Sequence, residues 1–113
     1  VAATVNAIGE AITLGVHAGI DVSALNEALA GGWADSLLLQ LFVPRMTQGY
    51  DKVLGTPNTM HKDIQNILHS ADLVDTSLPL AEQLERNFSR VADLGYGEKD
   101  LSDIIRSSWP DKK

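Results

Sequence analysis

The sequence predicts an all-α domain, a bundle of about six helices, and three observations support this fold class. Apolar residues recur at intervals of three and four along most of the chain, which is the spacing that forms one face of a helix. No segment alternates strictly between apolar and polar residues, as a half-buried strand does. Proline, glycine and small polar residues divide the series into segments of helical length. With 113 residues, 44% of them hydrophobic, we expect residues 1–113 to form one domain.

The first predicted helix extends from about Val1 to Ala18 and ends at Gly19, where a left-handed residue is expected. Ala11, Gly15 and Gly19 are spaced by four, and a row of small residues allows another helix to approach closely. The spacing therefore predicts a buried, central helix. The helical spacing of apolar residues begins at Val1, and neither an initiator Met nor a capping residue precedes it. We therefore expect the chain to be a fragment of a longer protein.

The second and third helices follow at short intervals. Asp21 is the expected cap of a helix at 22–30, and Gly31-Gly32 ends it. The third helix covers about 35–47. Its segment from Leu37 to Val43 is too apolar for a helix on the surface, and Pro44 is expected to break or kink it. Residues 48–55 are predicted to form a loop.

The fourth helix has the clearest start signal in the chain. Thr56 followed by Pro57 matches an N-cap with proline at the first helical position, and Thr59 is a second candidate cap. The predicted core-facing stripe of this helix consists of Met60, Ile64, Ile67, Leu68, Ala71 and Val74.

Two further helices are predicted after a turn at 75–78. Pro79 opens the fifth helix, which closes at Gly95-Tyr96-Gly97. Its predicted apolar face is Leu80, Leu84, Phe88 and Val91. The last helix is short and is ended by Pro110. Its inward residues are predicted to be Leu101, Ile104 and Ile105, together with Trp109.

Composition excludes several classes of function. A net charge of −6 without a cluster of Lys or Arg argues against a nucleic-acid partner, because phosphate binding needs a concentrated basic face. The chain has no cysteine, which excludes disulfides and thiolate sites and favours a reducing, cytoplasmic location. No apolar run approaches the roughly 18 to 20 residues that span a bilayer, so we expect no membrane insertion.

Lys62 and Asp63 are the candidate site residues that stand out from the pattern. With either cap, Lys62 lies in the first two turns, where the helix dipole disfavours a cation by typically a few tenths of a kcal/mol. Two explanations remain open. Asp63 or another carboxylate, with solvent, offsets the cost, as for ordinary exposed helix charges. Alternatively, Lys62 reaches toward an anion or polar ligand beside the helix.

Other combinations of residues give weaker signals. His17, His61 and His69 are too scattered for a metal motif, so no metal site is predicted. Gly31-Gly32 with Ser36 resembles a loop that approaches a ligand, although a glycine pair more often only ends a helix. Glu82 and Glu85 are three residues apart but more often line a solvated face. The hydrolase elbow, the P-loop and the dinucleotide fingerprint are missing from the sequence.

The order of several short motifs resembles the C-terminal helical domain of β-hydroxyacid dehydrogenases. This family includes 3-hydroxyisobutyrate dehydrogenase, tartronate semialdehyde reductase and relatives of 6-phosphogluconate dehydrogenase. The resemblance covers nearly the whole chain, and the Gly-Gly-x-x-x-Ser form is closest to the tartronate semialdehyde reductase branch. The motifs are EAITLGVHAGID, Gly31-Gly32 with Ser36, His61-Lys62-Asp63-Ile64, Leu78-Pro79-Leu80, and Gly95-Tyr96-Gly97 followed by Asp100 and Ser102.

This resemblance implies a role for the chain in an NAD- or NADP-dependent enzyme acting on a small 3-hydroxy acid or semialdehyde. It implies that Lys62 contacts the nicotinamide cofactor, Asp63 lines the cleft and Ser36 lies near the substrate. The family's catalytic Lys lies on an upstream helix, so no catalytic residue is expected in this chain, which alone should be inactive. A homodimer or higher homo-oligomer is also implied, with helix one and the Leu37–Val43 run as candidate interfaces.

One departure concerns Gly55. Many relatives have an aromatic residue of the substrate pocket at this position, seven before the motif Lys, so the substrate's identity is left open.

A different class of function also stays open. The chain could be a non-catalytic helical association module in which Lys62 and Asp63 are merely solvated. An upstream dinucleotide fingerprint and catalytic Lys in the gene distinguish the two hypotheses.

Overall fold

The computed structural model describes residues 1–109, which form five α-helices and two helical segments of other types. The α-helices are α1 (Ala2–His17), α2 (Leu25–Ala28), α3 (Leu37–Gln48), α4 (Pro57–Leu73) and α5 (Pro79–Val91). A π-helical turn at Ala92–Tyr96 and a 3-10 helix at Leu101–Ser107 follow. No strand occurs within residues 1–109, which confirms the all-α prediction. None of the helices in this part of the chain is long and apolar enough to cross a bilayer.

Helix α1 is central because it contributes to both groups of buried apolar side chains, but its predicted burial holds only in part, since Ala7, Ala11 and Leu14 are exposed. Close packing removes these side chains from water, which stabilises the fold by roughly 1.5–3 kcal/mol for each large side chain. The first group contains Val5, Phe42, Ile64, Leu84, Phe88, Val91, Leu101 and Ile104, and the second contains Ile8, Ile12, Leu39, Val43 and Ile105.

The residues that allow close approach to α1 differ in part from those predicted. A Cβ atom on Gly9 would lie 3.2 Å from the Cα of Ile105, so the 3-10 helix contacts α1 at this glycine. Gly15 is covered by Val22, but Ala11 is exposed. Gly19 has open space around it and a φ of 81°, as expected for the residue that ends the helix. The small-residue row therefore combines one contact, one exposed position and one helix stop.

Helix α2 is a single turn, which is shorter than the predicted segment 22–30. Asp21, the predicted cap, does not cap it. The Asp21 carboxylate accepts hydrogen bonds from the Ser23 backbone N–H (3.0 Å) and hydroxyl (2.7 Å), and these bonds lower the pKa of Asp21. Such local bonds compete with helix formation, so the helix starts later, at Leu25.

Helix α3 continues through Pro44 to Gln48, so a break at this proline is wrong, and the alternative, a kink, stays a prediction. An internal proline costs a helix about 3 kcal/mol. The helical turn at Pro44 is retained because the two residues before it, Phe42 and Val43, are buried in the core. The expectation that this segment avoids the surface is also wrong in part, since Leu37 and Leu41 are 84% and 41% exposed.

The predicted apolar faces of α4 and α5 are only partly buried. In α4, Ile64 and Ala71 are buried and Met60 and Leu68 are half-buried, but Ile67 and Val74 are exposed. In α5, Leu80 is 64% exposed, whereas the other three predicted residues are buried. Leu80 and Val74 both flank the turn that joins the two helices, and this end of the hairpin extends beyond the core.

The end of the described chain follows the prediction closely. Gly95 has a φ of 100° and ends the helical path of α5 within the predicted Gly-Tyr-Gly segment. The 3-10 helix buries Leu101, Ile104 and Ile105, and Trp109 is half-buried against the second group of core residues. Pro110, the predicted stop, lies outside the described residues.

A buried ion pair joins the C-terminal half of the domain. Asp100 is fully buried, and its carboxylate accepts hydrogen bonds from Arg45 Nε (3.1 Å) and Nη2 (2.8 Å). It also accepts the backbone N–H groups of Leu54 (2.8 Å) and Ser102 (2.9 Å). Arg45 Nη2 further donates to the carbonyl of Lys52. The end of α3, the loop after it and the start of the 3-10 helix are thereby connected through one carboxylate.

A second polar group reinforces this connection. The Tyr50 hydroxyl donates to Asp103 Oδ2 (2.7 Å) and accepts the backbone N–H of Asp100 (3.3 Å). The Arg45 guanidinium also lies 5.2 Å from the centroid of the Tyr50 ring. Burial, and then the bond to Asp103, raises the pKa of Tyr50, so this phenol stays neutral at pH 7.

We expect the stability of the domain to fall steeply in acid because of Asp100. Burial alone raises the pKa of Asp100, but the hydrogen bonds from Arg45, Leu54 and Ser102 outweigh it and lower the pKa to about 2 from 3.8. The charged carboxylate therefore stabilises the fold above pH 3.8, and this stabilisation, on the order of 2 kcal/mol, is lost as the pH falls toward 2. Urea unfolding between about pH 5 and pH 2 measures the effect.

The variant Asp100→Asn separates this contribution from other carboxylates. We expect it to lower the free energy of unfolding at pH 7 by about 3 kcal/mol, since it leaves Arg45 largely buried without a counter-charge. It should also flatten the pH profile below pH 3.8. Asp93→Asn, at an exposed carboxylate, is the matched control and should unfold like the parent. A wild-type profile in Asp100→Asn would contradict the assignment.

Candidate functional site

The start of α4 carries two of the predicted site residues, Lys62 and Asp63, in its second turn. The Thr56 hydroxyl accepts the backbone N–H of Thr59 (3.2 Å), and Pro57 is the first helical residue. Thr56 is therefore the cap, as the first alternative predicts, and Thr59 is not. The helix begins where the sequence indicates because both the cap and the proline favour the same residue.

The first turn of α4 is held against the C-terminal segment. Asn58 donates its backbone N–H to the Gly97 carbonyl (3.0 Å) and its side-chain amide to Glu98 Oε2 (2.7 Å). The Leu101 N–H donates to the Gly55 carbonyl (2.7 Å). Gly97 is required for this contact, since a Cβ atom there would lie 2.6 Å from the Asn58 side chain. The helix start is therefore anchored on both sides of its cap.

Lys62 and Asp63 are both exposed on this anchored helix. Within residues 1–109, neither side chain has a hydrogen-bond or ion-pair partner. Thr59 and Asn66, which lie about one turn before and after Lys62, are also polar and exposed. No carboxylate pairs with Lys62 in the described part of the chain, but solvent surrounds the exposed side chain, so both explanations for Lys62 stay open.

His61, the residue before Lys62, contacts the neighbouring helix. Its Nε2 lies 2.9 Å from Glu85 Oε2, and both side chains are partly buried, at 18% and 32% exposure. This pair fixes α4 against α5 next to the two site residues. Glu85 therefore does not belong to a purely solvated face, whereas Glu82 is exposed as expected. The sequence gives no signal for a pair whose members are 24 residues apart.

Ser36 is the cap of α3, and its hydroxyl accepts the backbone N–H of Leu39 (2.9 Å). It is exposed, but it lies at the opposite end of α3 from the Arg45–Asp100 pair and the α4 start. Among residues 1–109, no hydrogen bond or ion pair joins Ser36 to Lys62 or Asp63.

The loop that precedes Ser36 is organised by Asp35. The Asp35 carboxylate accepts the backbone N–H groups of Gly31 and Ser36 and the side-chain amide of Gln40, each at 2.8 Å. These bonds, with the Gln40 amide first, lower the pKa of Asp35. Gly31 has a φ of 78°, the conformation of a helix stop. The glycine pair thus has a structural role, and its donor at Gly31 is already used by the protein.

No group of three or more His, Cys, Asp or Glu side chains that could hold a metal ion occurs in the part of the chain that the structure describes. A cavity of about 520 Å³ lies elsewhere, between the end of α3 and the 3-10 helix. No pattern in the sequence indicates this cavity, because its lining residues come from two distant stretches, 45–50 and 102–109. Its residues include Arg45, Tyr50 and Asp103, but not Lys62, Asp63 or Ser36.

Comparisons with known proteins agree with the fold and the resemblance. The L-threonate dehydrogenase of Cupriavidus necator is 27% identical over 100 residues, which is 88% of this chain and 34% of that protein. The crystal structure of 3-hydroxyisobutyrate dehydrogenase from Salmonella typhimurium superposes with a TM-score of 0.85 at 22% identity, covering 93% of this chain and 37% of the other. The chain thus spans about a third of the length of these relatives.

A family model is more specific than either pairwise comparison. It describes the NAD-binding domain of NADP-dependent 3-hydroxyisobutyrate dehydrogenase, and it matches residues 1–108. This match includes every element from α1 to the 3-10 helix. The chain therefore belongs to the family of NAD-binding domains of NADP-dependent 3-hydroxyisobutyrate dehydrogenase.

Proposed function

We propose that this chain is the C-terminal helical domain of an NAD(P)-dependent 3-hydroxyacid dehydrogenase, and that it completes the cofactor and substrate cleft. The observation that carries the proposal is the exposed, unpaired Lys62 on a helix start whose position is fixed. An amine on an anchored helix loses little freedom when it binds a ligand, so more of the interaction energy remains for affinity. The family match supports the same ligand class, a nicotinamide dinucleotide.

In this proposal, Lys62 contacts the bound cofactor and Asp63 lines the cleft beside it. A lysine ammonium donates charge-assisted hydrogen bonds to carbonyl or phosphate oxygens, whereas a carboxylate accepts them from amide or hydroxyl groups. The two side chains thus offer complementary contacts from one helical turn. Ser36, whose hydroxyl oxygen already caps α3, is a proposed neighbour of the substrate.

The hydride transfer itself depends on groups outside residues 1–113. We place the cofactor's main binding site and the general acid/base Lys in a dinucleotide-binding domain, so the chain alone should not turn over substrate. The substrate class is a small 3-hydroxy acid or the matching semialdehyde, in keeping with the dehydrogenases to which the chain is similar. The absence of cysteine is consistent with work in the reducing cytoplasm.

A homodimer or higher oligomer is the second part of the proposal. Leu14 on α1 is 72% exposed, and Leu37 on α3 is 84% exposed. Large apolar side chains on the surface favour association with another subunit, because burial removes them from water. Leu14 lies on helix one and Leu37 lies in the Leu37–Val43 run, which are the two candidate interfaces named from the sequence.

A non-catalytic association module is the alternative function, favoured by the same exposed leucines. Sequencing the gene upstream of the Val1 codon separates the two. We expect it to encode a G-x-G-x-x-G fingerprint between a strand and a helix, together with a Lys on the helix leading into α1. If the gene lacks both features, the association module is the better proposal.

The role of Lys62 is tested by Lys62→Ala in the protein that joins this chain to its dinucleotide-binding domain. Loss of a charge-assisted contact should weaken NAD(P)H binding by about 10- to 100-fold, measured by the fluorescence of the reduced cofactor. Arg90→Ala removes an equal charge from an exposed position on α5 and is the control. Equal affinities in the two variants, with unchanged thermal unfolding, would contradict the role of Lys62.

The interface is tested with Leu37→Asp and Leu14→Asp, which place a charge on each exposed position. We expect either change to shift the protein from dimer toward monomer in sedimentation velocity, because an unpaired charge is costly in an apolar interface. Leu80→Asp, at an exposed position at the turn between α4 and α5, is the control. Dimers that persist in both interface variants would exclude these surfaces.

A further inference from the structure

The cavity between the end of α3 and the 3-10 helix has the size and composition of a ligand site. Its volume of about 520 Å³ falls within the roughly 300–1,000 Å³ of small-molecule pockets. Its lining is partly apolar and partly polar. The apolar lining residues are Met46, Ile105 and Trp109, and the polar ones include Arg45, Tyr50, Asp103 and Arg106.

The carboxylates at the cavity are already bonded to the protein. Asp103 accepts from the Tyr50 hydroxyl through Oδ2 (2.7 Å) and from Arg106 Nε through Oδ1 (3.3 Å). The neighbouring Asp100 is occupied in the same way by Arg45 and two backbone N–H groups. Arg45 uses Nε and Nη2 in its bonds, and its Nη1 has no partner among residues 1–109. Nη1 of Arg45 therefore remains as a donor, and a ligand that contacts it must supply an acceptor.

Charge limits the kind of acceptor. The guanidinium groups of Arg45 and Arg106 are balanced by the carboxylates of Asp100 and Asp103, so these four side chains carry no net charge. A phosphate or pyrophosphate with two or more charges would meet repulsion from both carboxylates. A group with a single negative charge can accept a charge-assisted hydrogen bond from Nη1 of Arg45, which the protein leaves without a partner among residues 1–109.

We propose that this cavity binds a small monocarboxylate with an apolar body. The carboxylate contacts Arg45 and Arg106, and the body packs on Met46, Ile105 and Trp109. Arg106 is suited to an entry position because its side chain is 33% exposed while its guanidinium is held 4.6 Å above the Tyr96 ring. The inference does not depend on the proposed cofactor role, since Lys62 and Asp63 do not line the cavity.

The positions of the tryptophans provide a direct test. The chain has two, of which Trp33 is fully exposed on the loop before α3 and Trp109 lines the cavity. In a Trp33→Phe background, fluorescence reports on Trp109 alone. We expect 3-phenylpropionate to change this fluorescence saturably at millimolar or lower concentrations, and the neutral 3-phenylpropanamide to bind about tenfold more weakly.

A charge-matched pair of variants in the same background locates the site. Arg106→Gln should weaken 3-phenylpropionate binding by about fivefold or more, whereas Arg90→Gln, on an exposed part of α5, should leave it unchanged. Backbone amide shifts in nuclear magnetic resonance spectra should change at Thr47 and Gly49 on adding the carboxylate, independently of any variant.

Three results would overturn the proposal. The first is the absence of both a saturable fluorescence change and amide shifts at Thr47 and Gly49 up to about 10 mM 3-phenylpropionate. The second is equal binding of the acid and the amide, which would remove the carboxylate from the recognised chemistry. The third is equal weakening by Arg106→Gln and Arg90→Gln, which would show a general effect of net charge.

Discussion

The arrangement of the C-terminal half depends on the buried carboxylate of Asp100. A buried charge is tolerated only when it is paired and hydrogen-bonded, and Asp100 meets both conditions with Arg45 and two backbone N–H groups. Its partners come from α3, the following loop and the 3-10 helix, so these segments cannot separate without leaving the charge unpaired. The adjacent bond from Leu101 to Gly55 extends the same constraint to the start of α4.

This constraint links the fold to the proposed function. Lys62 lies one and a half turns after the Thr56 cap, on a helix held by the Asn58–Gly97 contact at its start and by the His61–Glu85 pair on its side. An exposed lysine is normally a flexible surface charge. Here the backbone that carries it is held at its start and on its side, which supports the proposed role of Lys62 in binding.

The chain therefore offers two surfaces with different chemistry. The α4 start presents an unpaired cation and a carboxylate to solvent, which suits a ligand with both acceptors and donors, as a dinucleotide has. At the cavity beside Arg45, two arginines are paired with two aspartates, so their charges largely cancel. This suits a smaller, singly charged molecule. The proposed cofactor role concerns the first surface, and the proposed carboxylate site concerns the second.

The sequence by itself determined the helical class, the Thr56 cap, the stop at Gly95 and the exposed Lys62, because each depends on the residue's own backbone preference or on spacing along one helix. Tertiary structure decided the rest. Pro44 stays helical because its neighbours are buried, and Ile67 faces solvent because no element covers that side of α4 in residues 1–109. The Arg45–Asp100 pair joins positions 55 residues apart. Local patterns contain no information about such contacts, since they form only when the packed core brings distant segments together.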